Sequence, residues 1–179
     1  MFKQPIPRKL AIQSTLLFAL AAILPVAAFL PAEVRESYLQ EVAVASPKVA
    51  LLALLAVSVV GLTGIGHAGV GIQRFRLEPS LTESQALELF NLESLCSTLG
   101  FLTGGFATAV TYAFLLLGFG GTAALEAFAQ YGGGNPFAAS GVGLDIATVA
   151  VAALVGAVVL RVLSVYLFVE DVRRSMTTA

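Results

Sequence analysis

The chain has 179 residues, 58% of them hydrophobic and 12% charged, whereas soluble domains carry about 25% charge, so little is left for a water-soluble domain. The net charge of −1 offers no electrostatic footprint for nucleic acid, and the single cysteine, Cys96, excludes an intrachain disulfide. One histidine and no Cys/His cluster leave no set for zinc and no pair to clamp a haem from both sides, so no metal or cofactor is expected.

Four apolar runs reach the roughly 20 residues a membrane helix needs. The expected fold is therefore all-α, a four-helix membrane bundle forming one domain over residues 1–179, with spans at 10–30, 48–72, 95–119 and 142–169. A short basic start (Lys3, Arg8, Lys9) precedes the first run, which only Gln13, Ser14, Thr15 and Pro25 interrupt. A cleavable signal peptide is the competing reading, but the run exceeds the ~7–15 residues of a signal core. Pro25 should kink this helix and Pro31 help to end it. The polar stretch 31–47, with Glu33, Arg35, Glu36 and Glu41, is an extracytoplasmic loop whose middle suits a short surface helix.

The second span is glycine-dense in its latter half, around His67, and ends in a basic turn at 73–79 carrying Arg74 and Arg76. Ser80 and Glu83 then fit a capping box. A helix starting there can run to about residue 117, roughly 55 Å at 1.5 Å per residue, longer than the ~30 Å hydrocarbon layer. Its acidic beginning, 81–94, should stand in the cytoplasm. The loop 120–141 holds neither Lys nor Arg and centres on Tyr131-Gly-Gly-Gly-Asn-Pro136. In the fourth span Asp145 sits near the start, where a negative charge suits the helix dipole.

Orientation follows from the cations. Lys3, Arg8, Lys9, Arg74, Arg76, Arg173 and Arg174 fall on one side, Arg35 and Lys48 on the other. Both termini are therefore expected in the cytoplasm, and an even number of spans agrees.

Arg161 is the only Lys or Arg placed inside an apolar run. A guanidinium there costs about 2.5–3.5 kcal/mol on insertion scales, so a partner is expected. Counted from the cytoplasmic ends, Arg161 lies about 12 Å deep and His67 about 8 Å, and Glu93 enters the same leaflet. The expected intramembrane polar cluster is Arg161, His67 and Glu93, with Arg161–Glu93 as the leading ion pair and Thr98 and Thr103 as added hydroxyls. The competing reading has Arg161 snorkelling toward Glu170, Asp171 or a lipid phosphate.

Gly64-Ile-Gly66-His67-Ala-Gly69 spells a dinucleotide fingerprint, but that motif requires a preceding strand and a βαβ unit. Packing is the better account: Gly61, Gly64, Gly66, Gly69 and Gly71 on the second helix, Gly100 and Gly104 on the third, and Ala152 and Gly156 on the fourth allow close helix approach. Two sharper readings are His67 as axial ligand of a pigment or haem, and His67 as a proton-linked gate in a loosened helix.

No nucleophile–base pair is apparent, so catalysis is not expected. The composition points to a non-catalytic accessory or scaffold subunit of a membrane assembly, embedded in the lipid bilayer and associated with other membrane subunits or with copies of itself. The alternative is a small transporter or channel subunit built around Arg161, His67 and Glu93.

Overall fold

The computed structural model describes residues 5–39, 47–77 and 80–177; Lys3, Glu41 and Pro79 lie outside them. Among the described residues the chain is helical, with one isolated antiparallel bridge between Pro47 and Ala139. The helices are α1 (Ile6–Ala21), α2 (Ile23–Ala28), α3 (Ala32–Tyr38), α4 (Lys48–Leu77), α5 (Glu83–Thr98), α6 (Gly105–Gly118), α7 (Gly121–Phe128) and α8 (Ile146–Thr177), with a π-helical segment, Leu99–Gly104, joining α5 to α6. Four helical stretches are long and apolar enough to cross a membrane: Ile6–Ala28, Lys48–Leu77, Glu83–Gly118 and Ile146–Met176.

Each boundary has a local cause. Pro25 has no N–H for the carbonyl of Ala21, and the helix breaks there, between α1 and α2. Leu30 is buried and Pro31 starts the turn into α3, the short helix expected in this loop. Residues 73–77 of the expected basic turn are instead the last turns of α4. The cap of α5 lies two residues beyond Ser80. Thr82 Oγ1 accepts from Gln85 N at 3.4 Å and Gln85 Oε1 accepts from Thr82 N at 3.1 Å. Ser80 is unsuited to that role because its own N–H closes a turn onto the Leu77 carbonyl. The loop 120–141 contains α7, entered through Gly121 at φ +76°. A side chain there would also strike the Glu33 carboxylate, which accepts from Thr122 N and ties α7 to α3. The last helix begins at Ile146 rather than at residue 142, since Asp145 caps it by accepting from Thr148 N at 2.7 Å.

α1 lies along α8 for most of its length, and α4 packs against both and against the α5–α6 helix. Two hydrogen bonds fix the α1/α8 register: Ser164 Oγ donates to the Pro7 carbonyl and Ser14 Oγ to the Ala157 carbonyl. The two helices therefore run antiparallel, with Leu10 opposite Arg161. At the same end, Arg174 of α8 donates through Nε to Glu170 and through Nη1 to the Phe75 carbonyl. The second of these bonds satisfies one of the orphan carbonyls that every helix C-terminus presents.

Glycine permits close approach at six of the nine expected positions. A Cβ at Gly64 would overlap Leu160, one at Gly66 would overlap Cys96, and one at Gly71 would come within 2.8 Å of Leu167. Gly100 faces Thr63 and Gln13, Gly104 faces Val60, and Gly156 faces Leu17. The other three make no such contact within the chain. Gly61 and Gly69 face open space, and Ala152 is exposed. The small residues that α8 turns inward are Ala153 and Ala157, one position later.

Candidate functional site

Three helices each contribute polar side chains at i, i+4 spacing, which places both members of a pair on one helix face. The pairs are Lys9 and Gln13 on α1, Thr63 and His67 on α4, and Glu93 and Ser97 on α5. All six residues are buried, and they meet in the seam between the three helices. Arg74, two turns beyond His67, closes the cluster on the side nearer the helix ends.

Glu93 is the anionic centre. Lys9 Nζ donates to its Oε1 at 2.6 Å and Arg74 Nη2 to its Oε2 at 2.5 Å. Lys9 is only 1% exposed, and its ammonium also donates to Ser97 Oγ at 3.0 Å. Ser97 Oγ in turn lies 3.1 Å from His67 Nε2 and 2.7 Å from the Glu93 carbonyl. On the far side of the ring, Nδ1 lies 3.1 Å from Gln13 Oε1, and Gln13 Nε2 donates to Thr63 Oγ1 at 2.9 Å. Thr63 Oγ1 donates to the Val59 carbonyl at 2.7 Å. An unbroken chain of hydrogen bonds thus runs from half-exposed Arg74 to Thr63, about 21 Å along α4 from Leu77 at 1.5 Å per residue.

Gly100 makes the arrangement possible. It lies in the π-helical segment, and a Cβ there would fall 2.5 Å from Thr63 Oγ1 and 2.6 Å from Gln13 Nε2. The extra residue per turn of a π-segment, a feature common at functional sites, brings this bare backbone against the amide–hydroxyl pair.

The proton inventory is uneven. Gln13 Oε1 is an acceptor, so His67 carries a hydrogen on Nδ1. Ser97 has one hydrogen and two neighbours that would accept it, His67 Nε2 and the Glu93 carbonyl. Among the described residues no buried side-chain nitrogen or oxygen is left without a partner.

The structure brings His67 and Glu93 together, bridged by Ser97, but leaves Arg161 out. The inward stripe of α8 runs through Ala153, Ala157, Leu160, Ser164 and Leu167. Arg161 sits at the edge of that stripe, exposed, and forms no ion pair among the described residues with Glu93 or any other carboxylate. Its expected role as the cation of the cluster belongs to Lys9. Of the two expected hydroxyls, Thr98 bonds back to the Ser94 carbonyl and Thr103 is exposed. The residues missed from the sequence are Lys9, Gln13, Thr63, Arg74 and Ser97. The signal was the repeated i, i+4 spacing of polar residues within otherwise apolar helices.

Both ring nitrogens of His67 are engaged and the residue is 0% exposed. Axial ligation of a macrocycle would require breaking one of these bonds and opening the seam. A surface cavity of about 420 Å³ lies nearby, between the end of α4 and the start of α5, but none of the cluster's side chains lines it. No known family, curated protein or solved structure matches the chain.

Proposed function

We propose that the chain is a four-span membrane protein with both termini in the cytoplasm, acting as a non-catalytic accessory or scaffold subunit of a membrane assembly. The observation that carries this reading is the closure of the polar cluster. Lys9 and Arg74 share the Glu93 carboxylate at the meeting of three helices, where these bonds fix which faces adjoin and in what register, a role well attested for buried polar groups. The antiparallel α1/α8 register places the beginning of α1 and the end of α8 at one end of the bundle. The excess of Lys and Arg at that end supports a cytoplasmic assignment. Outward, α8 offers an apolar face with Val151, Val155, Val158 and Val162 exposed, available to lipid or to a neighbouring subunit.

A second reading, a proton-linked transporter, is favoured by one observation: an unbroken chain of hydrogen bonds links the buried His67 imidazole, through Ser97, Lys9 and Glu93, to half-exposed Arg74. Proteoliposomes under an imposed pH gradient separate the two. The scaffold reading expects proton flux equal to that of protein-free vesicles. Flux that depends on protein and disappears in His67→Phe would establish the transporter instead.

A further inference from the structure

Two cations lie at one depth on opposite sides of the α1/α8 pair. The register that sets Leu10 opposite Arg161 puts Lys9 and Arg161 at nearly the same level. Lys9 points inward and is neutralised by Glu93. Arg161 points outward, about 12 Å inside residue 169 at 1.5 Å per residue, with apolar Val165 and Phe168 between it and the helix end. It borders a groove of about 410 Å³ between α1 and α8, lined also by Arg8, Ala11, Val165, Phe168 and Asp171.

We propose that this groove binds an anionic phospholipid, the guanidinium groups of Arg161 and Arg8 holding its phosphate and exposed Leu154 and Val158, deeper along α8, receiving an acyl chain. The inference rests on the membrane reading given above. Two guanidinium groups outweigh one carboxylate, and Asp171 stands about 15 Å farther toward the helix end than Arg161 at the same rise per residue, away from the proposed phosphate. A guanidinium in apolar surroundings draws headgroups and water inward, and Arg matches phosphate oxygens through paired N–H donors. A free phosphate ion does not fit, because nothing along Leu154 and Val158 would recognise it; a lipid brings both halves of the required chemistry.

The test uses the full-length protein in mild detergent, with native mass spectrometry after addition of phosphatidylglycerol or phosphatidylcholine. The wild type should retain one phosphatidylglycerol under conditions that strip phosphatidylcholine. Arg161→Gln should lower that retention about five-fold, as expected for one basic residue facing an anionic lipid, and Arg8→Gln should lower it less. Unfolding temperature in lipid-free detergent should be the same for wild type and Arg161→Gln. If Arg161→Gln does not fold, Arg161→Lys replaces it and should show intermediate retention. Equal retention of the two lipids, undiminished retention in the variants, or displacement by inorganic phosphate would each overturn the proposal. Carbonate extraction of membranes separates the two levels: release of the protein would defeat the membrane reading itself, whereas retention without lipid preference defeats only the lipid site.

Discussion

Lys9 belongs by sequence to a basic start expected in water, yet it is among the most deeply buried large side chains of the described chain. Taking an ammonium out of water costs several kcal/mol, recovered only when geometry and hydrogen bonding are good, and here Glu93 and Ser97 supply both. Glu93→Gln should therefore destabilise the protein by about 3–5 kcal/mol, the range found when one partner of a buried pair is removed. Lys9→Met combined with Glu93→Leu should cost less than Glu93→Gln alone, because no charge is left stranded. Unfolding in a detergent titration measures both. A double variant as damaged as the single one would mean that the pair is not the unit that matters. Outside the apolar spans, Asp145 gives a pH prediction. Hydrogen bonding to Thr148, through its hydroxyl first and its backbone N–H second, holds the Asp145 carboxyl below the usual carboxylate range. A group whose folded pKa is depressed adds stability above its unfolded pKa of about 3.9 and loses it as pH falls through the folded value. Acidification from about pH 6 to pH 3 should thus lower the unfolding temperature more in the wild type than in Asp145→Asn. Equal losses would remove Asp145 from the account of α8.

At the scale of the element, the helices were legible and their facing sides were not. Runs of twenty or more apolar residues announce helices by length alone, and Pro25 marks the break that the structure places between α1 and α2. Which face turns inward is harder, because lipid and core are equally apolar and no hydrophobic contrast sets the rotation of α8. Ala152 and Gly156 read as the packing pair for that reason, whereas the hydrogen bond from Ser14 to the Ala157 carbonyl turns Ala153 and Ala157 inward. The same ambiguity hid the site. Arg161 was conspicuous because it is charged, but the inward cation is Lys9, recognisable only through its i, i+4 spacing to Gln13 and the matching pairs on α4 and α5. Ala153→Leu should destabilise the protein by about 1–3 kcal/mol, the usual cost of overpacking, while Ala152→Leu should change stability little, both read from thermal unfolding in detergent. Similar effects at the two positions would contradict the rotation of α8. Gly100→Val tests the third helix in the same way. Its side chain would displace Gln13 from Thr63, and a cost near zero would show that the amide–hydroxyl pair can move aside.

Across the whole molecule, the helix lengths are unequal in a way that makes the two ends of the bundle different. The α5–α6 helix has 36 residues, about 54 Å at 1.5 Å per residue, and a hydrocarbon layer of about 30 Å cannot cover it. The surplus lies at the α5 end, beside the final turns of α4 and α8, where Arg174 reaches the Phe75 carbonyl and lies over the Phe75 ring at 4.6 Å. Three helices thus project at one end of the bundle, the end that also holds Arg74, Arg76 and Arg173. At the opposite end are the two short helices α3 and α7, joined through Glu33 and Thr122. If positive charge governs insertion, the projecting end faces the cytoplasm. Single cysteines in a Cys96→Ala background test this, since Gln130, Glu88 and Met176 are all exposed. A membrane-impermeant maleimide applied to intact cells should label Gln130→Cys, and should label Glu88→Cys and Met176→Cys only after permeabilisation. Labelling of Glu88→Cys from outside would invert the molecule, and the basic end would then need an explanation other than the charge rule.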